Sequence, residues 1–169
     1  MPTPRLLLAP TAVSLLALAP LGEAQELLIP ESSTDRVMRF DARDGSLIDA
    51  SFIDVRTSGT TVLIPIKAIC VGDEIWVTDQ VADAVMRFSA DGTTFLGKLD
   101  AGLDNVRGIA AGDGLVFVAN GGGAGPGTGD AIKVYDTSGN PVASYPAEEP
   151  YDLSVVGDEI LVTNAIQHD

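Results

Sequence analysis

One unit of about 45 residues recurs along this chain and decides what it can fold into. Each copy runs from an apolar strand, through a turn rich in Asp and Asn, to a second strand that closes on a Gly turn. Ile75-Trp76-Val77-Thr78-Asp79 leads to Asp83-Ala84-Val85-Met86-Arg87-Phe88-Ser89-Ala90-Asp91-Gly92. Leu28-Ile29-Pro30-Glu31 leads likewise to Asp35-Arg36-Val37-Met38-Arg39-Phe40-Asp41-Ala42-Arg43-Asp44-Gly45. Phe117-Val118-Ala119-Asn120 leads to Asp130-Ala131-Ile132-Lys133-Val134-Tyr135-Asp136-Thr137-Ser138-Gly139, and Ile160-Leu161-Val162-Thr163-Asn164 opens a fourth copy. Repeats of this length, built from short strands, cannot bury their faces alone and must stack on one another.

The turns define the unit. Gly72-Asp73, Gly112-Asp113 and Gly157-Asp158 each separate two apolar runs, and a Gly at the first central position predicts a two-residue type II′ hairpin. Asp44-Gly45, Asp91-Gly92 and Ser138-Gly139-Asn140 form a second turn class. Two hairpins in series make a four-stranded antiparallel meander. Its second strand is apolar without alternation, the pattern of a strand covered on both faces, whereas sandwich sheets alternate because one face is wet. The expected fold is therefore all-β: a β-propeller of four-stranded antiparallel blades, about three and a half of them present. Strands two to four of the first blade fall at about residues 26–56, the second blade at 66–100, the third at 104–147, and the start of a fourth at 150–169. Closed propellers have roughly 4–8 blades. A partial propeller is expected, either a fragment of a longer reading frame or a chain that associates to close a ring.

Residues 1–24 read as a secretory signal peptide, with Arg5 ahead of a Leu/Ala-rich core and cleavage after Ala24. Pro10 and Pro20 interrupt that core, which argues against its retention as an anchor. The expected location is secreted or periplasmic, with no membrane insertion after cleavage. The net charge of -14 repels nucleic acid and anionic membrane surfaces. Cys70, the single cysteine, sits in an apolar strand and is expected to be a buried small hydrophobe. Trp76, Phe88, Phe117 and Tyr135 are expected in the core.

Val106-Arg107-Gly108-Ile109-Ala110 followed by Asp113-Gly114-Leu115-Val116-Phe117-Val118-Ala119-Asn120 resembles the opening of an NHL-type repeat. Asp83 to Gly92 is similar to that repeat's closing half, and the Val-Ala-Asn and Val-Thr-Asn endings resemble the related Tyr-Val-Thr-Asn propeller repeats. The resemblance covers residues 26–169. The copies depart from the pattern at Pro30 and at the long Thr57–Pro65 connection. Such propellers serve as binding platforms, lyases and lactonases alike, so the resemblance implies the fold and leaves the activity open.

The candidate site follows from the strand ends. Glu31, Asp79, Asn120 and Asn164 each close a second strand, and Lys67, Arg107 and Asp152 are read as equivalent positions on the connections beside them. Together they would ring one mouth of a central channel. Carboxylate and amide oxygens suit a hard cation such as Ca²⁺, and the similarity to calcium-dependent propeller lactonases implies the same set. Against this, Asp and Asn cap turns by bonding nearby backbone. Gly121 to Gly129 is read as a mobile loop on the same face and not as a phosphate loop, since no Gly-Lys-Ser/Thr follows. His168 is the only histidine, which argues against a His-based zinc site or a Ser-His-Asp triad within the chain. Two functions are carried forward: a binding or scaffolding module working through this face, for a protein or small-molecule ligand, and a fragment of a Ca²⁺-dependent lactonase- or lyase-like enzyme.

Overall fold

The computed structural model describes residues 26–122 and 129–165. The expected leader, residues 123–128 of the glycine-rich insertion and His168 lie outside the described residues. Among the described residues the fold is all-β, with four antiparallel sheets in chain order. The first holds β1 (Glu26–Glu31), β2 (Arg36–Asp41) and β3 (Leu47–Asp54). A single 3₁₀ turn, Val55–Ser58, follows and ends at Gly59. The second sheet holds β4 (Pro65–Val71), β5 (Glu74–Asp79), β6 (Ala84–Ser89) and β7 (Phe95–Leu99). The third holds β8 (Val106–Gly112), β9 (Leu115–Asn120), β10 (Ala131–Asp136) and β11 (Pro141–Pro146), and the fourth β12 (Pro150–Val156) and β13 (Glu159–Asn164). Neighbours in sequence are neighbours in every sheet, so each is a meander closed by short turns.

Turn chemistry sets the register. Val71 pairs with Glu74 and Val156 with Glu159, leaving Gly72-Asp73 and Gly157-Asp158 as two-residue loops whose glycines have φ of 57° and 58°. The middle copy differs from the expected Gly112-Asp113. Gly112 pairs with Leu115, so the loop is Asp113-Gly114, with both φ values positive. Asp-Gly is the favoured pair for a type I′ turn, and it outcompetes Gly-Asp when the two overlap. Gly112 thereby becomes a strand residue, and its missing Cβ matters: one built there would lie 2.8 Å from the Val155 side chain on the next sheet.

The sheets pack face to face in chain order. Val37 and Ile53 of the first, with Val55 of the turn that follows it, meet Ile75, Val77, Ala84, Met86 and Phe88 of the second. The other face of the second sheet places Val71, Trp76 and Val85 against Val106, Ile109, Val116, Val118 and Tyr135 of the third. Ala110, Ala119 and Ile132 of the third then meet Leu153 of the fourth. β5 is thus covered on both sides, and Ile75 to Asp79 are all buried, which is the physical reason that its sequence does not alternate. β13 has the same kind of sequence and every residue exposed: among the described residues no third strand pairs with it and no sheet follows it. Trp76 and Phe88 are fully buried and Tyr135 nearly so, while Phe117 packs partly buried on the third cluster.

Cys70 contradicts its expectation: it is exposed. It borders a shallow cleft with Leu28, Phe52 and Ile75. β1 is the edge of the first sheet among the described residues, and although it packs beside β4 it leaves the thiol uncovered.

Candidate functional site

The site is built on the first strands of three sheets, β4, β8 and β12. β8 lies between the other two and contacts both. Pro65, Val106 and Pro150 pair with Asp79, Asn120 and Asn164, and Ala68, Ile109 and Leu153 pair with Val77, Val118 and Val162. Between those points the register slips in all three ladders. The equivalent residues are therefore Lys67, Gly108 and Asp152. Arg107 belongs instead with Ile66 and Tyr151, one position away from where the repeat alignment of the sequence put it. The slip is shared by all three ladders and keeps the spacing equal: Lys67, Gly108 and Asp152 each stand 12 residues before Asp79, Asn120 and Asn164, and Arg107 stands 13 before Asn120.

The slip leaves an amide out of the ladder, and in two copies a threonine takes it up. Lys67 N donates to Thr78 Oγ1 at 3.1 Å, and Asp152 N to Thr163 Oγ1 at 3.0 Å. The third sheet has Ala119 and Gly108 there instead, and the glycine serves a different purpose. Lys67 Nζ passes it to donate to Asp152 Oδ1 at 2.7 Å and to the Leu153 carbonyl at 2.8 Å. A Cβ on Gly108 would lie 2.6 Å from Asp152 Cα and 2.7 Å from Asp152 Oδ1. Packed sheets lie about 10 Å apart face to face. The second and fourth sheets would be twice that distance apart in a flat stack, beyond the four-carbon stem of a lysine. The first strands of these sheets therefore converge, and Lys67 and Asp152 meet where they do.

Arg107 is largely withdrawn from solvent. Its guanidinium lies 5.2 Å from the centre of the Tyr151 ring and 3.6 Å from Glu149 Oε2, and Gly121 packs against it. Its Nε and Nη1 have no hydrogen-bond partner among the described residues.

Asp79 and Asn120 hold loops. Both are buried. The Asp79 carboxylate accepts from the backbone N–H groups of Ile64, Val81 and Ala82, at 2.9 to 3.2 Å. Burial pushes its pKa above the ordinary carboxylate value, against the pull of those three amides. Asn120 Oδ1 accepts from Asp104 N at 2.7 Å, and its Nδ2 donates to the Gly129 carbonyl at 2.5 Å. A carboxylate in one sheet and an amide in the next thus fasten the connection that enters their own first strand. Glu31, on the first sheet, folds back onto Ser33 and Thr34, and those hydroxyls hold its pKa below the usual value. Asn164 is exposed at the end of β13.

A second set of residues at this end did not stand out in the sequence. Asp83 Oδ1 accepts from Asn105 N at 2.7 Å, and Asp130 Oδ2 from Glu149 N at 3.3 Å. Each aspartate precedes the third strand of one sheet and captures the entry to the first strand of the next. Asn105 and Glu149 both take positive φ, 52° and 43°. Gln80 Nε2 also donates to Asn105 Oδ1 at 2.7 Å. The recurrence of Asp35, Asp83 and Asp130 was visible along the chain, but the donors to Asp83 and Asp130 are backbone N–H groups that no residue type announces.

The structure thus joins Lys67 with Asp152, and keeps Arg107, Asp79, Asn120, Glu31 and Asn164 on separate tasks. Among the described residues no three Asp, Glu, His or Cys side chains come together as a metal-ion set. The four Ca²⁺ candidates are spread over four sheets, and the oxygens of Asp79 and Asn120 already accept backbone hydrogen bonds. Among the described residues, no helix is long and apolar enough to cross a membrane. No protein-family model matches the chain, and no curated protein matches it.

Proposed function

We propose that the four sheets are blades of a partial NHL-type propeller. On this reading the chain is an exported binding or scaffolding module that recognises its ligand with the end bearing Lys67, Arg107, Asp152, Glu31, Asp79, Asn120, Asn164 and Tyr151. The observation that carries it is the Lys67–Asp152 pair, 85 residues apart and two sheets apart. Sheets whose first strands converge while their faces stay packed fan about an axis, as blades do. Fanning gathers the connections at one end of the strands into a single surface. The buried Asp79 and Asn120 stiffen those connections, and a stiff surface loses little conformational freedom on binding. Arg107 over Tyr151 supplies a cation with an aromatic platform, the residue types enriched where proteins recognise partners. The charge of -14 favours a ligand that is cationic or neutral over nucleic acid.

Calorimetric titration with Ca²⁺, paired with the shift of melting temperature in EDTA, separates this reading from a Ca²⁺-dependent enzyme. The module is expected to show no Ca²⁺ binding tighter than millimolar, and tight binding would overturn it. For any ligand then found, Arg107→Ala with Tyr151→Ala is expected to abolish binding. Thr93→Ala, in the turn at the opposite end of the strands, is expected to leave it unchanged. Loss in both would remove the assignment to this end.

A further inference from the structure

A cavity of about 280 Å³ lies where the connection from β7 to β8 passes the last two strands of the third sheet. Ala101 of that connection, with Pro141 and Val142, gives it apolar walls, and Lys133, Tyr135 and Ser144 bring polar groups to it. The strand pattern puts those three on one face. Lys133 pairs with Ser144 across β10 and β11, and Tyr135 stands two residues beyond Lys133. That face is turned to the second sheet, where Tyr135 packs with Trp76 and Val85. Between Val134 and Tyr135 the register with β11 shifts and leaves Val142 as an extra residue, and a bulge of this kind re-aims the side chains around it. The polar groups are unused by the fold. Tyr135 is only 6% exposed, and burial alone raises its pKa, with no hydrogen bond to the hydroxyl contributing. A buried tyrosine hydroxyl usually has a partner. Asp and Glu outnumber Lys and Arg by 24 to 10, yet Lys133 belongs to none of the ion pairs among the described residues.

We propose that this cavity binds a small molecule with one carboxylate and an apolar body, the carboxylate meeting the Lys133 ammonium and the hydroxyls of Tyr135 and Ser144. One ammonium, a compact point charge with three donors, balances one negative charge. A phosphate dianion would call for a second cation, and among the described residues no other Lys or Arg lines the cavity. At about 30 Å³ per water in the liquid, the space holds about nine non-hydrogen atoms, the size of benzoate. The site lies on the last strands of one sheet, whereas the recognition end is built on the first strands of three, so neither reading depends on the other.

Ligand-observed NMR and calorimetry on the full chain test the proposal, with benzoate and butyrate as probes. At least one is expected to bind saturably, with a Kd of about 1 mM. Benzyl alcohol, which has the ring without the charge, is expected to bind about tenfold more weakly than benzoate. Lys133→Met keeps the stem and removes the charge, and is expected to weaken carboxylate binding about tenfold. Tyr135→Phe keeps the ring and is expected to weaken it about fivefold. Both variants are expected to retain the β-sheet circular dichroism spectrum. Lys98 pairs with Asp100 and lies opposite Met86, on the other face of the second sheet, so Lys98→Met is expected to leave binding unchanged. No saturable binding of either acid overturns the proposal. Equal affinity for benzyl alcohol and benzoate reduces the cavity to an apolar cleft, and equal affinity of Lys133→Met and wild type places the carboxylate elsewhere; either result overturns it as well.

Discussion

Gly108 and Asp79 show how single residues control the convergence. Gly108 has no positive φ to explain it; its role is the absent Cβ, which leaves room for Asp152 and Lys67 to meet. Gly108→Ala forces a methyl group to 2.6 Å from a backbone Cα. The strands must part, and overpacking of this kind costs about 2 kcal/mol, to be read as a lower denaturation midpoint at an unchanged m-value. Gly114→Ala is a weaker control, because open space surrounds that residue and the cost there is its positive φ of 75° alone. Asp79 yields a pH prediction. Its pKa is raised in the folded protein by burial, so the folded state holds its proton more firmly than the unfolded chain does. The stabilising contribution of that proton is complete below the ordinary carboxyl pKa and is lost as pH rises through the folded value. Asp79→Asn, which imports the amide used by Asn120, removes this dependence. The stability of the variant relative to wild type is expected to climb as pH rises from the ordinary Asp value through the raised one and then to level off. A flat difference across that window would mean that burial does not burden the carboxylate. Asp79→Ala strands the N–H groups of Ile64, Val81 and Ala82 and is expected to cost about 2 kcal/mol below the ordinary carboxyl pKa and less above the raised one.

At the scale of the element, the turns do most of the specifying. The turns after β2, β6 and β10 close in the same way. Gly45, Gly92 and Gly139 donate back to Asp41, Ser89 and Asp136, and each glycine has positive φ. Their carboxylates are charged and well supplied with donors. Arg43, by side-chain and backbone hydrogen bonds, holds Asp41 down to about 2, and Asn140 lowers Asp136. A depressed carboxyl pKa contributes stability that is present above its unfolded value and lost as pH falls through its folded one. Asp41→Asn with Asp136→Asn should therefore flatten the stability curve between about pH 4 and pH 2 and leave its neutral region parallel to that of wild type. These turns were legible in advance because they are written in Gly and Asp. The strands between them were legible because apolar runs such as Ile75-Trp76-Val77 do not alternate. The register slip in β4, β8 and β12 was not legible, since it depends on how neighbouring sheets approach. The approach of the sheets also hid the partnership of Lys67 with Asp152, whereas the placement of Arg107 was legible from spacing, since Gly108 and not Arg107 stands 12 residues before its strand end as Lys67 and Asp152 do. The exposure of Cys70 escaped for a related reason: its own strand predicts burial, and the extent of the adjacent sheet decides otherwise.

At the scale of the whole molecule, the convergence of sheets has a measurable energetic consequence. In a flat stack, the second and fourth sheets would communicate only through the third, and substitutions on them would add independently, as distant sites do. Here Lys67 on β4 and Asp152 on β12 touch directly. Their side chains keep 30% and 48% of their exposure, so solvent screens the pair and a buried-pair magnitude does not apply. A second bond from Lys67 Nζ to the Leu153 carbonyl fixes the ammonium in place and reduces the entropy that an exposed pair loses on forming. A double-mutant cycle of Lys67→Met and Asp152→Asn should give a coupling of about 0.5 to 1 kcal/mol, toward the upper end for an exposed pair. Because Asp152→Asn keeps a carbonyl oxygen that Lys67 can still approach, the cycle reports charge more than contact, and the coupling should shrink as salt is raised. A control cycle of Lys67→Met with Lys133→Met, on the third sheet, should be additive within about 0.3 kcal/mol. Additivity in the first cycle would mean that the charge pair adds nothing to stability, and the Lys67–Asp152 contact would then lend no energetic support to a single gathered recognition surface.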